Sequence, residues 1–95
     1  MRDYELVVII NPQVGDEDVD GVVQKVSQLI TSNGGEITEV NPWGRRRLAY
    51  PINSFREGYY VVTKLRMRPA ATAEVERSLK LTEEIIRYLL VKIGE

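Results

Sequence analysis

The sequence predicts an α+β domain: one antiparallel four-stranded sheet with two helices packed on one of its faces. Three observations carry that prediction. Segments whose apolar residues recur every second position alternate with segments of helical period, in the order βαββαβ. The 95 residues contain no internal repeat, which makes one domain able to bury roughly 60–70% of the surface it exposes when unfolded. Hydrophobic residues form 43% of the chain and charged residues 28%, a globular balance that excludes wholesale disorder.

Tyr4 to Ile10 places Tyr4, Leu6, Val8 and Ile10 on one side and Glu5, Val7 and Ile9 on the other. Rich in β-branched residues and stopped by Asn11-Pro12, it reads as a central strand. Asp16-Glu17-Asp18 then open a helix. Val19, Val22, Val23, Val26, Leu29 and Ile30 trace its single apolar face, and Asn33-Gly34-Gly35 ends it. Glu36 to Ile52 is extended but carries Pro42 and Pro51, which cannot donate to a ladder, so it belongs at a sheet edge. Asn53 to Gly58 reads as the hairpin loop, and Tyr59 to Met67 alternates again as a strand. Pro69 starts a second helix with Ala71, Val75 and Leu79 at spacing four. Thr82-Glu83-Glu84 breaks it, and Ile85 to Ile93 forms the last strand. Right-handed crossovers put both helices on one face with strand order 4-1-3-2, the ferredoxin-like arrangement, and leave the other face uncovered.

Composition narrows the chemistry. Thirteen Lys and Arg against fourteen Asp and Glu give a net charge of −1, so bulk charge announces no polyanion partner. Cysteine and histidine are absent, which removes disulfides, thiolate or imidazole metal sites and His-based nucleophilic catalysis. The acidic group Asp16, Glu17, Asp18 and Asp20 suits a helix N-terminus and lacks the loop spacing of a calcium site. No cofactor, metal or catalytic residue is therefore expected. The longest apolar run, Leu6 to Ile10, is far too short to span a membrane, and the opening Met1-Arg2-Asp3-Tyr4-Glu5 lacks a signal-peptide layout. A cytoplasmic domain is the expectation.

The distinctive stretch is Gly44-Arg45-Arg46-Arg47-Leu48-Ala49-Tyr50-Pro51-Ile52-Asn53. Three arginines on an edge strand present fork-shaped donors suited to phosphate oxygens; they also discourage edge-to-edge aggregation. Alternation puts Arg46 in phase with Leu48, Tyr50 and Ile52, making it, of Arg46 and Arg47, the one that supports the fold through its stem. Arg2, Arg87 and Lys92 lie on adjacent strands and would converge on one side of the molecule. Val7, Ile9, Leu89 and Val91 occupy the second sheet face, where they either await a partner or express plain β-propensity. Tyr4 and Tyr59 fall in phase with core positions, leaving Tyr60 as the exposed aromatic. Trp43, beside Gly44, is either a partner anchor or a cap on the core.

That ten-residue string resembles, at every constrained position, the signature of the bacterial ribosomal protein S6 family: Gly44, Arg46, Arg47, Leu48, Ala49, Tyr50, Ile52 and Asn53 all meet it. The likeness extends to Arg2-x-Tyr4-Glu5, Asn11-Pro12, Gly58-Tyr59 and Val91-Lys92. The resemblance implies the same ferredoxin-like fold and a non-enzymatic protein of the small ribosomal subunit. It implies binding to the central domain of small-subunit ribosomal RNA together with ribosomal protein S18, with no membrane or DNA partner. On this reading Arg2, Arg45, Arg46, Arg47, Arg87 and Lys92 are the RNA candidates, Arg45 by its charge alone because the signature leaves its position open. Val7, Ile9, Trp43, Tyr60, Leu89 and Val91 are the candidates for protein contact. The competing readings are a phosphatase-like enzyme of this topology, for which no Gly-rich phosphate cradle is present, and a regulatory domain that dimerises through its sheet edge, which two prolines and three arginines disfavour.

Overall fold

The computed structural model describes residues 1–94. Its elements are β1 (Arg2–Ile10), α1 (Asp16–Ser32), β2 (Glu36–Ile52), β3 (Phe55–Met67), a 3-10 turn (Pro69–Ala71), α2 (Thr72–Lys80) and β4 (Ile85–Lys92). The four strands form one antiparallel sheet in the order β2-β3-β1-β4, so the ferredoxin-like order is as expected. The alternation in β1 sets the layering. Leu6, Val8 and Ile10 are at most 2% exposed and pack with Val22, Val26 and Ile30 of α1 and Val75 and Leu79 of α2. Both helices therefore cover one face, with Leu65 and Met67 of β3 completing the core.

α1 has no side-chain N-cap, and Gly15 sits at that position. Asp16, Glu17 and Asp18 fill its first turn, where carboxylates offset the positive end of the helix dipole. At the other end the Asn33 side chain donates to the Leu29 carbonyl at 2.8 Å and its backbone N–H to that of Ile30 at 3.2 Å. Gly21 lies on the exposed side of α1, and a methyl group added there would meet nothing within 4 Å. Gly21→Ala should therefore stabilise the fold by about 0.5–1 kcal/mol, the helix-propensity difference; urea midpoints of the two proteins measure it.

The β2–β3 hairpin differs from the expectation. Its turn is only Asn53-Ser54, both with positive φ (50° and 71°), the backbone of a tight two-residue hairpin turn. β3 thus starts at Phe55, and Gly58, read as a loop residue, lies within the strand. Its absent side chain has a packing reason: a Cβ there would lie 2.5 Å from Ile9 Cγ2 and 3.1 Å from the Ile10 carbonyl oxygen. β1 pairs with β3 only as far as Ile10 opposite Tyr59. Residues 46–58 therefore project beyond the central strand as an arm.

Candidate nucleic-acid and protein interface

The arm's faces are set by a bulge. β2 shifts register between Pro42 and Gly44, and Gly44 has φ +83°, a conformation that glycine adopts without strain. Arg45 then stands opposite Tyr59 and Arg46 opposite Gly58, so the two arginines point to opposite faces of the sheet.

On the helix-free face, Trp43 stacks on Tyr60, with ring centroids 6.3 Å apart and planes inclined by 10°. The Arg46 guanidinium lies 5.7 Å from the centre of the Trp43 ring, within cation–π range. Trp43 is 50% exposed; it does not cap the core. Leu48 turns inward and is buried. With Val7, Ile9, Ile52, Tyr60 and Leu89 it lines a groove of about 220 Å³ between the arm and the sheet. At the rim the Arg87 guanidinium donates to the Tyr50 hydroxyl and lies 5.8 Å from the centre of that ring. Leu89 and Val91 remain exposed and Val7 is half-buried.

Ile9 corrects the expectation of an open strand face. It is 6% exposed because the arm folds back over it, so it forms the floor of the groove and not its surface. The basic residues are corrected too. Arg87 stands opposite Ile9 whereas Lys92 stands opposite Tyr4, about 17 Å apart along the strand, and alternation places Arg2 and Lys92 on the helix side. The three do not converge; Arg87 joins Arg46 at the arm, and Arg2 and Lys92 occupy the far end of β1.

Arg45, not Arg46, is the arginine built into the fold. It bonds to the Glu57 carboxylate and, at 2.6 Å, to the Tyr59 hydroxyl, and its guanidinium lies 4.6 Å from the centre of the Tyr59 ring. Tyr59 in turn donates to the Asp16 carboxylate. That bond, and then burial, hold the Tyr59 phenol above its usual ionisation range. Glu57, and then Tyr59, push the Arg45 guanidinium still further up, so it stays charged. Among the described residues, Arg46 and Arg47 form no ion pair. Sequence reasoning missed Leu48 and Tyr50 as parts of the groove; their signal was the alternation Leu48, Tyr50, Ile52 on a strand otherwise almost wholly exposed. Among the described residues no group of three metal-ligating side chains gathers, and no helix is long and apolar enough to cross a membrane.

Fold and surface together define a small ferredoxin-like domain with an apolar groove on its helix-free face and an arginine-bearing arm. The family model of ribosomal protein S6 matches residues 3–92. The small ribosomal subunit protein bS6 of Moorella thermoacetica is 44% identical over 95 residues, spanning all of this chain and 97% of the relative. That of Desulforamulus reducens is 40% identical, with both chains fully covered. A crystal structure of 30S ribosomal protein S6 from Thermotoga maritima matches with a TM-score of 0.91 at 35% identity, over 96% of this chain and 86% of that one. The C-terminal domain of the MgtC protein from Mycobacterium tuberculosis, 16% identical with a TM-score of 0.64, shares the fold alone. The chain belongs to the ribosomal protein S6 family, whose members are structural, non-enzymatic constituents of the small subunit of the bacterial cytoplasmic ribosome. The phosphatase-like and regulatory readings fall with that assignment.

Proposed function

We propose that this chain binds the central domain of small-subunit ribosomal RNA jointly with ribosomal protein S18. The observation that carries the reading is the juxtaposition on one face of an apolar groove of about 220 Å³, an exposed Trp43, and Arg46 and Arg87, which form no ion pair among the described residues. Apolar area and a large aromatic suit a protein neighbour. Arg46, Arg47 and Arg87 at the arm, with Arg2 and Lys92 at the far end of β1, suit phosphates, which position without reading sequence. Trp43, Tyr60, Val7, Leu89 and Val91 are the protein contacts in this arrangement, supported from beneath by Ile9.

The near-neutral charge of the chain limits how many phosphates it can neutralise alone, and counterion release scales with that number. The isolated protein should bind a central-domain RNA fragment weakly and with a shallow salt dependence, and bind it much more tightly once S18 is present. Titration of the labelled fragment with and without S18 at several salt concentrations measures both. Nanomolar binding by this protein alone at physiological salt would overturn the joint-binding reading.

A further inference from the structure

We propose that Arg45 is a positioning residue, a strut that fixes the angle of the β2–β3 arm and thereby holds Trp43 and Arg46 in their partner-binding geometry on the opposite face. The arm needs such a strut. Beyond Tyr59 it has no β1 partner, and its own turn is two residues long, so its inclination to the sheet is set by side chains. On the groove side Leu48 packs against the sheet and Arg87 bonds to Tyr50; on the helix side one guanidinium supplies the connections. Arg45 Nη1 donates to the Glu57 carboxylate on β3, and its Nη2 to the Tyr59 hydroxyl and, at 3.4 Å, to the Pro12 carbonyl in the β1–α1 turn. Tyr59 carries the chain of bonds on to Asp16, the first residue of α1. A single side chain thus ties β2, β3 and the turn, and through Tyr59 the helix. Arg46, which follows it in sequence, points the other way, over the Trp43 ring.

The same contacts argue against a phosphate role. A phosphate oxygen arriving at Arg45 has to displace the Glu57 carboxylate from one nitrogen and the Tyr59 hydroxyl from the other. Arg46 and Arg47 offer their donors without that exchange. A lysine in place of Arg45 keeps the charge and loses the fork, since an ammonium is a point charge that cannot reproduce the planar pattern of donors. A phosphate contact survives that substitution in large part; a strut does not.

Trp43 is the one tryptophan in the chain and lies against Arg46, the first residue of the arm, so its fluorescence reports the foot of the arm in the free protein. Arg45→Met and Arg45→Lys should both raise acrylamide quenching of Trp43 under conditions where each remains folded. Met67→Ala, which loosens the core at the opposite end of β3, where Met67 is buried and stands opposite Arg2, should not. Unchanged quenching in both Arg45 variants overturns the proposal. A second measurement rests on the joint-binding reading: affinity for the RNA fragment with S18 as a function of salt. Both Arg45 variants should lose about tenfold with an unaltered salt slope, and Arg45→Met should couple with Arg46→Met in a double-mutant cycle. Arg46→Met should make the slope shallower by about 0.7–0.9, one phosphate contact. A slope reduced by Arg45→Met, with affinity kept by Arg45→Lys, overturns the strut in favour of a phosphate ligand. If the unaltered protein forms no complex with the fragment and S18, the joint-binding reading fails and the fluorescence result alone decides the strut.

Discussion

Trp43→Ala should weaken assembly with S18 and ribosomal RNA about thirtyfold or more while leaving the protein folded. Truncating a central aromatic anchor costs about 2 kcal/mol or more of binding, and 1.4 kcal/mol is a factor of ten. The ring is half exposed and its intramolecular contacts are the stack on Tyr60 and the Arg46 guanidinium above it. Such an aromatic pair contributes about 0.5–1.5 kcal/mol, so the cost to folding stays near 1 kcal/mol. Arg46→Ala combined with Arg47→Ala should separate the two quantities further. Neither residue has an ion-pair partner among the described residues, and exposed changes of this kind fall within about 0.5 kcal/mol of stability. Each lost charge-assisted contact costs about 1.5–3 kcal/mol of binding. Incorporation into small subunits, measured beside the urea midpoint for each variant, tests the set. Normal incorporation would reduce the arginines to guards of the sheet edge and remove Trp43 from the interface.

Gly58→Val should produce the largest loss of stability, about 3 kcal/mol or more. The Cβ alone would stand 2.5 Å from Ile9 Cγ2 and 3.1 Å from the Ile10 carbonyl oxygen. The side chain can shift, but the carbonyl belongs to the central strand. Overpacking a dense site costs about 1–3 kcal/mol, and the branched methyl groups add to the contact already made by the Cβ. For a domain of this size each kcal/mol moves the thermal midpoint by roughly 4–8 °C, so a fall of more than about 12 °C is expected. Gly58→Ala should show a smaller loss, and Ile9→Ala in the same chain should recover part of it, because the nearest contact is with that side chain. No recovery in the double variant would place the strain at the Ile10 backbone instead.

The order of elements was legible because each one carries its period over a long enough run. The Leu6, Val8, Ile10 phase and the Val22, Val26, Ile30 phase identify the two layers before any coordinates. What was not legible depends on single residues that break a period. Gly58 looks like turn punctuation in sequence; in the fold it is the place where β3 crosses Ile9 too closely for a side chain. The true turn, Asn53-Ser54, lacks the glycine that such turns favour, so nothing in the sequence separates it from the residues up to Gly58. Counting by twos from Leu48 put Arg46 on the groove side, which is correct, but gave no sign that Arg45 meets Glu57 and Tyr59 across β3. That knowledge requires the register set by the Gly44 bulge. Ile9 falls on the face that the strand pattern leaves uncovered, because such a pattern shows which face a residue takes and never what folds over it.

The place of β1 in the sheet has a consequence for the order in which the chain becomes stable during synthesis. β1 is paired on one side by β3 and on the other by β4, so its second partner is residues 85–92, made long after it. Until those residues leave the translating ribosome, Tyr4 to Ile10 have an edge of unpaired backbone groups beside the most apolar run in the sequence, a template for unwanted pairing with other nascent chains. Long-range pairing of this kind also closes slowly, since the loop entropy is spent before the contacts form. A nascent chain released after α2 has both helices and three strands yet lacks the strand that seals its centre. Completion of the sheet is thereby coupled to the synthesis of β4.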